Sequence, residues 1–181
     1  MKDPVIIEPY SDNWPSLFNE LRAQIVTKIG SEVLRIDHIG STAVVGLAAK
    51  PIIDIQISVR DLGNIETIIS GLASLGYRYH SNNDDLTKRY FREAPGTRRT
   101  HIHVRQAGSW SEQFNLLFRD YLRTHEDDRD QYARTKYELA KRYRDQREKY
   151  VDAKTEIVWD IIKKANTWSQ KIGWTPSKTD L

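Results

Sequence analysis

The chain has 181 residues, 39% of them hydrophobic and 29% charged, with a formal net charge of +3. That length and balance suit one soluble globular domain with a single core. The absence of cysteine excludes disulfides, thiolate metal centres and cysteine nucleophiles, and no apolar run is long enough for a membrane-spanning helix. The opening MKDPVIIEPYSDNW lacks the basic-then-apolar form of a secretion signal, so cytoplasmic residence is expected.

In chain order, Ser11, Asp12 or Asn13 can cap a helix that starts near Trp14 and Pro15, because a first-turn proline lacks only an N–H that no helical carbonyl would take. Leu17, Leu21, Ile25 and Ile29 recur at helical spacing, Phe18 and Val26 widen the stripe, and Gly30 ends it. Val33 to Ile39 reads as a short strand entering a Gly40-Ser41 turn. Pro51 to Val59 is the plainest strand: Ile53, Ile55, Ile57 and Val59 alternate with Asp54, Gln56 and Ser58. One face therefore meets helices, and the polar face is left for a cleft. Asn64 caps a helix running through Leu75 and ended by Gly76, and Tyr77 to His80 forms a further strand. Lys88 to Glu93 and Thr100 to Arg105 flank the turn residues Ala94-Pro95-Gly96-Thr97, the pattern of an antiparallel hairpin. Ser109-Trp110-Ser111-Glu112 fits a capping box opening the next helix. Two more helices follow near 128–144 and 150–167, and residues 172–181 read as a loose tail. No repeat or linker divides the chain, so 1–181 is expected to be one domain.

The loop between the first two strands carries the chemistry. Gly40 lets backbone approach a ligand, Ser41 and Thr42 offer hydroxyls and amides to anionic oxygens, Lys50 adds a positive charge, and Asp54 suits a divalent cation. A structural alternative for Asp54 is a hydrogen bond to Ser41 or Thr42 that only fixes the loop. His101 and His103 alternate on one strand and share a face. Such a pair can ligate a metal, act as acid and base, or hold phosphate as imidazolium. His38 is expected to be a partner of the loop, and His80 and His125 carry no signal. Lys88, Tyr90 and Arg92 share one strand face, with Arg89 on the other. Arg98 and Arg99 fall in a turn and read as solvated. Arg119 and Arg123 share a helical face, as do Tyr132 and Lys136. Asp120 reads as part of an ion-pair network, and the five tryptophans as packing.

The stretch HIGSTAVVGLAAKPIIDI at 38–55 resembles the signature of the GrpB family, which runs close to HIGSTAVPGLAAKPIIDI. Val45 stands where that family usually has proline, so the loop has one less fixed φ angle. The resemblance continues through Thr100 to Val104, Phe118 to Arg123 and Tyr132 to Lys136, and covers roughly Ile6 to Ile162. GrpB proteins are grouped with the DNA polymerase beta-like nucleotidyltransferases, and some are fused to dephospho-CoA kinase. The resemblance therefore implies an α+β fold, a nucleotidyltransferase-like mixed sheet flanked by an N-terminal helix and C-terminal helices. It also implies a metal site of two strand carboxylates one residue apart and a third from the neighbouring strand. Here Gln56 occupies the second position, and an uncharged amide weakens the metal site.

The expected function is a metal-dependent nucleotidyltransferase-like enzyme binding a nucleoside triphosphate or a related phosphorylated ligand. Asp54, His101 and His103 are the candidate catalytic residues, with Asp54, Gln56 and His103 as metal ligands. Gly40, Ser41, Thr42, Lys50, Arg92, Arg119 and Lys136 are the candidate phosphate or nucleotide contacts. The cofactor is a divalent cation, Mg²⁺ or Mn²⁺, with Zn²⁺ suited to the imidazoles; no organic cofactor is indicated. The alternative is a non-catalytic module that binds a nucleotide or a CoA-like ligand on the same fold. The densest charge, from Arg119 to Lys149, interleaves both signs, as a solvated helical face does, so nucleic-acid binding is not expected.

Overall fold

The computed structural model describes residues 4–180; residues 1–3 and 181, the ends of the expected domain, lie outside it. Helix α1 (Asn13–Ile29) precedes strands β1 (Arg35–Ile39) and β2 (Ile53–Val59). Helix α2 (Glu66–Ser74) leads to β3 (Arg78–Tyr79), β4 (Lys88–Arg92) and β5 (Thr100–Gln106). Helices α3 (Trp110–Thr124), α4 (Glu126–Arg142) and α5 (Arg147–Ile172) complete the chain. The sheet order is β1-β2-β5-β4-β3, with β2 parallel to β5 and every other neighbour antiparallel. This is the mixed sheet, with an N-terminal helix and C-terminal helices, that the resemblance implies.

Alternation along the strands decides what each face holds. Ile55 lies opposite His38 and Ile102, and Ile57 lies opposite Ile36 and Val104. On that side Trp14, Phe18, Ile25 and Ile29 of α1, with Ile68 and Leu72 of α2, close one core over the sheet. Each such buried side chain is worth about 1.5–3 kcal/mol relative to exposure. Gly71 lets the two helices touch, since a Cβ there would stand 2.3 Å from Ile29 Cγ2.

The polar face is not an open cleft along its length, as the alternation alone suggests. Helix α3 lies across its Gln56 end: Gln56 donates to the Glu112 carbonyl and accepts from Asn115 Nδ2 at 2.8 Å. Helices α3, α4 and α5 share a second core with the loop after β1, built on Val44, Leu47, Leu117, Tyr121, Leu122, Tyr132, Ile161 and Ala165. The Asp54 end of the same face stays accessible.

The helix starts follow the expected chemistry with shifts of a few residues. At α3 the Ser109 hydroxyl accepts from the Glu112 N–H at 3.3 Å, while the Glu112 carboxylate accepts from the Gly108 N–H at 2.6 Å. At α2 the expected Asn64 cap is absent; Ile65 precedes the helix, and Asp61 Oδ1 takes the N–H groups of Gly63 and Asn64 instead.

Residues after Gly173 differ from the loose tail expected of them. They run along the outer edge of β1, where Asp180 N–H donates to the Ile36 carbonyl at 3.0 Å and the Thr179 hydroxyl takes the Ile36 N–H at 3.0 Å. Asp180 also accepts from the His38 N–H at 3.1 Å, and Arg35 donates to the Ser177 carbonyl at 2.9 Å. An edge strand presents unpaired backbone groups, and these residues satisfy them. Nothing in the composition of the tail announces that role.

Candidate metal and phosphate site

The parallel pairing of β2 and β5 sets Asp54 opposite His101 and Gln56 opposite His103. Because side chains alternate, Asp54, His101 and His103 project from one face. Asp54 Oδ1 lies 3.2 Å from His101 Nδ1 and 3.6 Å from His103 Nε2. One ligand atom from each of the three lies within 4.8 Å of the others. The donor set of one carboxylate and two imidazoles fits Mn²⁺, Fe²⁺ or Zn²⁺ better than Mg²⁺, which prefers all-oxygen ligands. The buried His101 Nε2 and His103 Nδ1 have no hydrogen-bond partner among the described residues.

Burial would raise the Asp54 carboxyl, but hydrogen bonds and charge from His101 and His103 outweigh it and hold the group well below the usual carboxylate range. Burial pushes His103 down, against the pull of Asp54. A neutral imidazole beside an ionised carboxylate is the protonation state that metal ligation requires.

The turn before β2 is shaped around this carboxylate. Gly40 has φ +72°, and a Cβ on it would stand 2.6 Å from Asp54 Oδ2. Ser41 accepts from Lys136 Nζ at 3.1 Å, and the same ammonium donates to the Ala48 carbonyl. The Thr42 hydroxyl is held by His38 Nε2 at 3.0 Å and the Ile52 carbonyl at 3.1 Å, so it fixes the loop. His38 is thus the loop's partner, through Thr42; it stacks on Phe18 at 4.7 Å, and burial pushes its pKa down to about 4. Arg123 and Arg129 of the helical layer pin the Ala43 and Val45 carbonyls.

A cavity of about 390 Å³ opens over these groups. Lys50, Lys136, Arg147 and Lys154 line it together with Asp54, and Phe118, Tyr132 and Tyr150 supply apolar walls. The Tyr150 ring lies 5.3 Å from Lys50 Nζ and 5.7 Å from Lys154 Nζ, and the Tyr132 ring 4.5 Å from Lys136 Nζ. Burial, reinforced by the Arg147 and Lys154 charges, pushes Lys50 down to about 8. Burial, with Lys154 and Lys50 nearby, lowers Lys136 well below the ordinary lysine range. Cations crowded to this degree favour an anionic ligand of several charges.

Arg147, Tyr150, Val151 and Lys154 escaped the sequence reading. Their spacing of three, four and seven marks one helical face, but it gives no sign that this face looks toward the loop before β2.

Three expected contacts lie elsewhere. Gln56, expected as a metal ligand, is fully buried with both ends of its amide taken by α3. Arg119, expected at phosphate, is buried in a structural network. It donates to the His38 carbonyl at 3.1 Å, to Asp120 Oδ1 at 2.8 Å and to Ser177 Oγ at 2.9 Å, and it lies 3.5 Å from Asp37. It ties α3 to β1 and the C-terminal residues and does not line the cavity. Arg92 shares the face of His101 but lines a separate depression with Arg78 and Glu93.

A five-stranded mixed sheet, with a Gly-Ser turn feeding a strand aspartate, gives the chain a nucleotidyltransferase-like fold. The fold is shared with the GLD-2/RNP-8 complex, on which the chain superimposes with a TM-score of 0.56 at 16% identity, over 85% of this chain and 59% of that one. Within that class it belongs to the GrpB family, whose model, described as GrpB protein, matches residues 4–164. The crystal structure of the conserved protein GrpB from Enterococcus faecalis matches with a TM-score of 0.79 and 30% identity, over 88% of this chain and 98% of that one. A UPF0157 protein of Halalkalibacterium halodurans is 38% identical over 157 residues, 87% of this chain and 80% of that protein. A dephospho-CoA kinase of Mycolicibacterium paratuberculosis is 31% identical, over 96% of this chain and 49% of the kinase, so the chain spans about half the length of that relative. Among the described residues no helix is long and apolar enough to cross a membrane.

Proposed function

We propose that the protein is a metal-dependent transferase of phosphorus-containing groups that takes a nucleoside triphosphate or a closely related ligand in this cavity. The observation that carries the reading is the cluster of Asp54, His101 and His103 at the floor of a cavity lined by Lys50, Lys136, Arg147 and Lys154. Ser41, Lys50, Lys136 and Lys154 hold the phosphates, and the aromatic walls give the base an apolar surface. Asp54, His101 and His103 would hold a divalent transition metal, which would supply Lewis-acid stabilisation of the negative charge that develops as the phosphoryl bond breaks. An acceptor oxygen forms a bond to the α-phosphorus as the bond from that phosphorus to pyrophosphate breaks. Pyrophosphate leaves with the electron pair, and the acceptor's proton passes to solvent.

One observation favours a second reading, a module that binds the ligand without transfer. The polar position beside Asp54 is Gln56, and its amide is occupied by α3, so no second carboxylate faces the metal position from β2. Pyrophosphate release from a panel of triphosphates, with Mg²⁺, Mn²⁺ and Zn²⁺ in turn, separates the two. Release with Mn²⁺ or Zn²⁺ that Asp54→Asn abolishes supports the transferase. Nucleotide binding with no release under any metal establishes the module.

A further inference from the structure

One row of residues crosses the sheet on the side of the candidate metal ligands. Asp54 on β2 pairs with His101 on β5, His101 with Arg92 on β4, and Arg92 with Arg78 on β3. Residues paired in this way share a face, so two arginines continue the row outward from the triad. The Gly40-Ser41 turn and its lysines adjoin Asp54 at the other end. Arg78 and Arg92 stand directly opposite each other, and like charges so placed destabilise a strand pair. They line a depression of about 390 Å³ together with Arg99 and His80, and its lining includes one carboxylate, Glu93. Glu93 lies 2.9 Å from Arg99 and 3.4 Å from Arg92, so one negative charge is shared by two guanidinium groups. Positive charge remains in excess.

We propose that this second depression binds the phosphate of an anionic acceptor, while the lysine-lined cavity holds the nucleotide. The inference rests on the transferase reading and names the class of its second substrate: a small phosphorylated molecule with a free hydroxyl. Displacement at phosphorus needs the acceptor and the leaving group on opposite sides. The row supplies that arrangement, with His101 between the cationic cavity and the arginine pair. A guanidinium fork binds two phosphate oxygens at once, and an anion between Arg78 and Arg92 converts their repulsion into shared attraction.

Inorganic phosphate serves as the probe, titrated into isotope-labelled protein while backbone amide and arginine Nε–H resonances are followed. The expected result is two sets of shifts that saturate independently, one around Ser41 and Lys50, the other around Arg78, Arg92 and Gly96. Loss of two charged hydrogen bonds should weaken the second set about ten-fold or more in the double variant Arg78→Gln/Arg92→Gln, leaving the first unchanged. Lys154→Gln should do the reverse. Arg78→Gln alone relieves a like-charge contact, so its melting temperature in phosphate-free buffer should equal or exceed that of the wild type, which guards against an unfolded variant. A single set of shifts at the cavity, unmoved by Arg78→Gln/Arg92→Gln, overturns the acceptor site and leaves the nucleotide reading intact. Equal shifts around Arg92 with chloride at matched ionic strength also overturn it. Shifts at the arginines without shifts at the cavity support this site and count against the transferase reading.

Discussion

Gly40 and Asp54 are built against each other: the bare α-carbon of the glycine leaves the space in which the carboxylate sits, and a Cβ would stand 2.6 Å from Asp54 Oδ2. The glycine also holds φ +72°, which other L-residues adopt only with strain. Gly40→Ala should therefore lower stability by about 1–3 kcal/mol and displace the carboxylate. Chemical denaturation reads the first effect, and a weaker Mn²⁺ isotherm reads the second. A variant with wild-type stability and wild-type Mn²⁺ affinity would show that the contact is not required.

Asp54 contributes the one carboxylate of the triad, so Asp54→Asn should cut Mn²⁺ or Zn²⁺ affinity by about ten-fold or more, since charged ligation exceeds that of a neutral amide. The residue lies at the accessible end of the polar face, so its replacement opens no core cavity, but it gives up the charged contacts to His101 and His103 and the melting temperature should fall modestly while the chain stays folded. Calorimetric titration of each metal checks the affinity, and a thermal melt checks the stability. Equal affinity in the two proteins returns Asp54 to a purely structural role.

Gln56→Glu tests the packing of α3 on the sheet. Because the Gln56 amide donates to the Glu112 carbonyl, a glutamate there would place a charged acceptor against an acceptor in a buried site. The expected outcome is destabilisation of about 3–5 kcal/mol in urea, with no gain in Mg²⁺ affinity. A stable variant that binds Mg²⁺ more tightly would mean that this side chain can swing into the cavity.

Lys50 makes ligand binding pH-dependent. Its pKa of about 8 means that the cavity carries this positive charge below pH 8 and loses it above. Affinity for inorganic pyrophosphate should fall as pH rises through that value, and Lys50→Met should remove the step. The unfolded chain keeps the lysine proton to higher pH, so between pH 8 and the ordinary lysine pKa the unfolded state binds more protons. Stability from this group then increases with pH while ligand affinity decreases. Affinity that stays level from pH 7 to 9.5 would exclude Lys50 as a contact.

Arg119→Met removes the centre of a buried network, leaving the His38 carbonyl, Asp120 and Ser177 without its guanidinium while Asp37 keeps its paired bonds to Arg35 at 2.8 and 2.9 Å. A loss of about 3–5 kcal/mol is expected, with pyrophosphate affinity unchanged at temperatures where the variant is folded. Urea denaturation beside calorimetry separates the two. A fall in affinity at unchanged stability would restore Arg119 to the ligand site.

Local pattern in the sequence determined a good deal of this protein. Period-two alternation in Ile53 to Val59 and in His101 to Arg105 assigned Asp54 and both histidines to polar faces, since strand geometry allows no other placement. Helical spacing fixed α1, and the Gly40-Ser41 turn marked where a backbone could approach a ligand. The tertiary structure alone decided what covers each face. Gln56 and Asp54 are equivalent by alternation, yet α3 takes one and leaves the other accessible, because packing depends on where a helix whose contacts lie 56 and 59 residues further on comes to rest. Arg119, expected at phosphate, is buried against Asp37; Arg147, Tyr150 and Lys154, which no local pattern singles out, line the cavity. Residues 174–180 carry no regular pattern and still close the edge of β1. Periodicity reports the direction of a side chain relative to its own backbone, whereas a site is made where faces of distant elements meet.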